Sequence, residues 1–239
     1  MLSEKPWKVE AVMCLMLALL SCMLMGGAIA SAFKGDGTAA PGTGSLAPFV
    51  ISTLSFHGAI IVLVSLFVRY HQTDWATGFG ISSARQTRAV LLAVGTAMLA
   101  LPIAFLLGAL SARIMTLFHV EPVAQKAVTT LQSAVEVGPQ IYFGFMAVAA
   151  APVAEELLFR GILYPTIKNV GYPRLALWGT SVLFGASHLN LATFIPLTFL
   201  AIALTWLYEA TDNLLAPILT HSLFNTANFF WLIVTRPIA

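Results

Sequence analysis

From Ala11 to Phe33 the chain runs without a single charge, bracketed by Lys8 and Lys34. A stretch of that kind has few places to go, because about 20 apolar residues at ~1.5 Å rise each match the ~30 Å hydrocarbon core of a bilayer. Such runs recur along the sequence. Pro48 to Val68, Ala89 to Leu110, Gln140 to Ile167, Arg174 to Leu189, Thr193 to Tyr208 and Asn213 to Val234 follow in order. They predict an all-α, polytopic transmembrane helical bundle of about seven spans, between six and eight. Composition agrees: 59% of the residues are hydrophobic and only 9% charged, against about a quarter charged in soluble domains. One globular core cannot hide that much apolar surface.

Several function classes drop out at once. Twelve Lys and Arg against ten Asp and Glu leave a formal charge of +2, with no basic field for nucleic acid. Cys14 and Cys22 lie about 12 Å apart on a helix, too far for a disulfide, and read as small apolar fillers. The first run has a second reading as a cleaved leader, with Lys5 and Lys8 as its basic head and Ala28-Ile29-Ala30 as its cleavage site. The turn-rich stretch Gly35 to Gly44 separates the first two spans, Pro102 predicts a bend in the third, and Ser111 to Pro139 reads as an amphipathic surface connector. The organisation is thus 1–139, N-terminal helices with the connector, and 140–239, C-terminal helices of the same bundle. Lys5, Lys8, Arg69, Arg85, Arg88, Lys168 and Arg174 would share one side of the membrane, and Lys34, Arg113, Lys126 and Arg236 the other. That excess predicts a cytoplasmic N-terminus.

The fourth span holds charges where charges are costly, at ~2.5–3.5 kcal/mol each near mid-bilayer. Glu156 and Arg160 are spaced i, i+4 and share a helical face. Glu155 is turned about 100° away, and is the freer carboxylate and candidate general base. A surface loop is the competing reading, since Gly161 and Pro165 follow. The fifth span ends Phe184-Gly-Ala-Ser-His188, and the seventh contains His221-Ser-Leu-Phe-Asn225 with Asn228 a turn on. His57 in the second span reads as a packing residue, with cavity lining as its alternative. His71 and His119 read as loop or interface residues. Glu155, His188, His221 and Asn225 sit on three helices, and a bundle turns such groups inward. A carboxylate with an imidazole can hold and deprotonate water, while an imidazole with a carboxamide can donate to an oxyanion.

Glu155-Glu156-x-x-x-Arg160, Phe184-x-x-x-His188 and His221-x-x-x-Asn225 together resemble, in order, the motifs of the CAAX-protease and bacteriocin-processing (Abi) family, whose best-known members are type II CAAX prenyl endopeptidases. The resemblance covers about Ala151 to Phe230. It implies an intramembrane endopeptidase with a conical cavity open to the cytosolic leaflet. Glu155 and His188 would activate water, His221 and Asn225 would form the oxyanion hole, and Glu156 and Arg160 would organise the site. The implied partners are the lipid bilayer and a peptide or lipidated-protein substrate. Zinc has been invoked for such proteins, but no H-E-x-x-H pair is present, and catalytic zinc wants three directed ligands. A metal-free glutamate mechanism with no cofactor is the expectation. Few residues follow Asn225, so a further family helix would be absent or merged into the seventh span. Two readings compete with a protease. One is a non-catalytic scaffold or immunity protein. The other is a proton-coupled transporter, which should show internal repeats that the chain lacks.

Overall fold

Nine helices and no strand make up the described residues, 2–32, 47–81, 86–133 and 137–235, of the computed structural model. They are α1 (Val9–Ala32), α2 (Ala47–Tyr70), α3 (Trp75–Phe79), α4 (Gln86–Leu117), α5 (Lys126–Ser133), α6 (Val137–Asn169), α7 (Pro173–Ser187), α8 (Leu191–Thr211) and α9 (Leu215–Val234). Lys34, the stretch Gly35 to Gly44, Arg85 and Arg236 lie outside the described residues. Leu17, Leu24, Leu91, Leu99, Leu106 and Trp206 point outward, an apolar exterior that water would not tolerate. The chain is an integral membrane helical bundle.

Five helices are long and apolar enough to cross a bilayer: α1, α2, α4, α6 and α8. Seven spans were expected. The difference lies in α7 and α9. At 15 residues, α7 reaches only about 22 Å, short of the hydrocarbon thickness. The 20 residues of α9 are diluted by Thr220, His221, Ser222, Asn225, Thr226 and Asn228. Each is tied to the bundle at one end. Leu214 N–H donates to the Phe79 carbonyl at one end, and Asn190 Nδ2 donates to the Val123 carbonyl at the other. The predicted connector also differs: α4 continues through Pro102 to Leu117, leaving only α5 as a short surface helix.

Close packing rests on small residues. Ala89, Ala93, Ala97, Ala100 and Ala104 form a buried stripe on α4 that receives Leu200, Leu204 and Leu207 of α8 and Ala216 and Phe224 of α9. With no hydrophobic drive between helices in lipid, such stripes let backbones approach and gain dispersion contact. Thr220 Oγ1 uses that proximity to donate to the Ala93 carbonyl across the interface at 3.1 Å. A second core joins Trp7, Val64, Phe67, Phe79, Ile162, Phe184 and Tyr208.

The N-terminal arm is strapped to the bundle. Leu2 N–H donates to Glu209, Asn169 Nδ2 donates to the Lys5 carbonyl, and Lys5 Nζ meets Asp212 Oδ1 at 3.0 Å. Burial works against the Asp212 charge, yet hydrogen bonds from Lys5 and Ser3 hold its carboxyl below the usual value. A depressed carboxylate stabilises the fold above its unfolded pKa, and that contribution is lost as pH falls through the folded value. Asp212→Asn should therefore melt below the parent near neutral pH, and the gap should close as pH drops below about 4. Thermal unfolding in detergent across that range tests it.

Candidate active site

Two prolines in α6 set the geometry of the site. Helix α6 widens into π-helical turns at Met146–Ala150 and again at Leu157–Leu163, on either side of the glutamate pair. In the first, Ala151 N–H reaches back to the Met146 carbonyl. The Ala147 carbonyl would then look to residue 152, a proline with no N–H. Asn225 Nδ2 of α9 supplies the hydrogen instead, at 2.8 Å. At the second, Pro165 has no N–H for the Gly161 carbonyl four residues back. The Trp7 indole donates to that carbonyl at 2.7 Å. Gly161 itself must lack a side chain, since a Cβ would lie 2.7 Å from Phe79 Cε1. The surface-loop reading of this segment is overturned: the helix continues through Gly161 and Pro165 because both freed carbonyls find partners.

Glu156 and Arg160 are almost fully buried, at 0% and 1% exposure. Such charges persist only when paired. Arg160 Nη1 meets Glu156 Oε1 at 2.8 Å, and Nη2 donates to the Ala201 carbonyl of α8 at 3.0 Å. Its guanidinium also lies 4.7 Å over the ring of Phe184. The same Glu156 oxygen takes His221 Nδ1 at 2.9 Å. A carboxylate only accepts, so Nδ1 carries the hydrogen. Glu156 thereby fixes the ring of His221, whose Nε2 faces Glu155 Oε2 at 3.9 Å.

Glu155 turns the other way, into a cavity of about 780 Å³ whose wall also includes His57, His188, His221, Asn225 and Asn228. His188 Nδ1 donates to the Phe184 carbonyl at 2.8 Å. In the neutral ring this leaves Nε2 with its lone pair available to accept. The structure thus brings Glu155, His188, His221 and Asn225 to one cavity, with Glu156 and Arg160 packed behind it. His57 joins them: its Nε2 lies 3.5 Å from Glu155 Oε1. Sequence reasoning gave it a packing role. Its signal was being the lone ionisable residue in the run from Pro48 to Val68. Among the described residues, no three His, Cys, Asp or Glu side chains are grouped to hold a metal ion.

Much of the remaining wall is apolar, with Phe49, Phe56, Phe143 and Phe229 among its residues, beside Ser52 and Thr53, and Gln125, Val128 and Leu131 line it at the connector. Most lining residues lie toward the connector side of the bundle, while Glu155 and His221 stand close to the middle of α6 and α9.

Comparison with known proteins finds similarity over part of the chain. Residues 137–227 match the family model described as type II CAAX prenyl endopeptidase Rce1-like. Over 75 residues the chain is 32% identical to the UPF0177 protein YxdF of Lactococcus lactis subsp. lactis, an alignment covering 31% of this chain and 41% of that protein. The chain thus matches less than half the length of that relative. No solved structure matches. The matched segment contains every one of the motif residues from Glu155 to Asn225, so the C-terminal part of this membrane protein is similar to the type II CAAX prenyl endopeptidase family.

Proposed function

We propose that the chain is an intramembrane endopeptidase that hydrolyses peptide bonds of membrane-associated substrates, lipidated or plain, without a metal. The observation carrying this reading is the meeting of Glu155, His188, His221 and Asn225 at one cavity inside a membrane bundle. Water held by His188 Nε2 gives a proton to Glu155 as its oxygen bonds the scissile carbonyl carbon, and the carbonyl electron pair moves onto oxygen. The oxyanion is received by the second N–H of Asn225 and by Nε2–H of His221. Because Nδ1–H is committed to Glu156, His221 donates from Nε2 only as an imidazolium. The proton then passes from Glu155 to the amide nitrogen, and the C–N bond breaks.

The excess of Lys and Arg at the N-terminal end supports a cytoplasmic N-terminus in this reading. The cavity then belongs to the opposite leaflet, and the substrate arrives from outside. Purified protein in detergent should cleave a fluorogenic membrane peptide, farnesylated or plain, with chelators making no difference. His188→Ala should lower the rate by about 10²–10⁴-fold. In sealed, right-side-out vesicles, added peptide should be cut without permeabilisation. Loss of activity to a chelator with recovery on zinc overturns the metal-free mechanism. Cleavage only after permeabilisation overturns the orientation, and binding without turnover makes the chain a scaffold.

A further inference from the structure

We propose that His57 is a positioning residue that sets the plane of the Glu155 carboxylate. The inference rests on the reading of Glu155 as the base, and it concerns a helix outside the family match. His57 lies in a π-helical turn of α2, Leu54–Gly58, where Ala59 N–H reaches back five residues to the Leu54 carbonyl. One extra residue per turn advances the side chains that follow, and such bulges gather at functional sites. Here the bulge faces the glutamate pair of α6.

Around Glu155 the two oxygens have different neighbours. Oε1 faces His57 Nε2 at 3.5 Å, and Oε2 faces His221 Nε2 at 3.9 Å. Neither ring nitrogen of His57 has a hydrogen-bond partner, although both are buried. An imidazole left with two unsatisfied nitrogens costs stability unless something repays it. Phe56 stacks edge-on against the ring with centroids 4.9 Å apart, so the ring has little freedom to turn away. A small closing movement, of the kind catalytic hydrogen bonds make when substrate binds, completes an Nε2–H to Oε1 bond. With Oε1 held, Oε2 is left to take the water proton beside His221. His57 touches no reacting atom in this scheme and acts only through Glu155.

The test separates positioning from packing. His57→Leu removes the donor at similar bulk, and His57→Gln keeps an N–H near the position of Nε2. For peptide cleavage, His57→Leu should lower kcat by about 10–100-fold, as expected for a misplaced base. KM should stay within about twofold, because His57 acts on the orientation of Glu155 and makes no contact with the substrate in this scheme. His57→Gln should recover most of kcat. An unchanged kcat in His57→Leu, or a Gln variant no better than Leu, overturns the proposal. A second measurement is independent of turnover: the ring ¹⁵N resonances of His57 in labelled protein should shift on Glu155→Gln. An unshifted ring overturns the pairing even if the leucine variant does not fold. A parent enzyme that cleaves nothing, with the ring still responding to Glu155→Gln, would instead remove the protease reading and leave the pairing standing.

Discussion

Glu155→Gln should lower kcat by about 10²–10⁴-fold, the range for removing a positioned general base. Glutamine keeps the shape and loses the ability to take a proton from water. Glu155 lies against the cavity and not in the buried ion-pair core, so the fold should survive the change. Steady-state cleavage of a fluorogenic peptide, read beside thermal unfolding in detergent, separates chemistry from stability. A variant that melts with the parent but turns over at parental rate would remove Glu155 from the mechanism. Glu156→Gln makes the contrast, since it disturbs the Arg160 pair and the tether on His221 together.

The second large effect is structural. Arg160→Leu leaves Glu156 buried with only the Nδ1–H of His221 as a partner, and breaking a buried pair from one side costs about 3–5 kcal/mol. For a chain of this size, that corresponds to a fall of very roughly 10 °C in Tm. The double variant Glu156→Leu with Arg160→Leu should recover much of the loss, because no charge is then stranded. It should still be inactive, as His221 would lose the partner that orients it. Thermal unfolding of the two variants decides the matter: equal Tm values for parent and Arg160→Leu would show that the pair carries no stability.

What the sequence made legible was local. The i, i+4 spacing of Glu156 and Arg160 announced a shared face, and the pair meets at 2.8 Å. The uncharged runs announced a membrane bundle, and the three motifs announced helices that would turn polar groups inward. Long-range pairings were beyond such reading. Nothing local connects Trp7 with the Gly161 carbonyl, 154 positions away, so Gly161 and Pro165 could be mistaken for a loop. His57 was set aside for the same reason, since its partner comes from another helix. The π-helical turns were hidden too, because hydrophobic periodicity reports a 3.6-residue repeat and is blind to one inserted residue. The apolar run read as a fifth span forms the 15-residue α7, shorter than the five helices long enough to cross a bilayer.

The hydrogen bond from Asn225 to Ala147 divides the proposed site into two mechanical parts. Helix α6 bears Glu155, holds the imidazole of α9 through Glu156, and holds the amide of α9 through a defect in its own ladder. Those three groups therefore ride on a common ruler, and tilting it displaces them without altering their mutual spacing. The imidazoles of α2 and α7 are mounted on separate supports. On the proposed mechanism, a guest wedging between helices would spread the gap that admits it while the spacing of Glu155, His221 and Asn225 is kept.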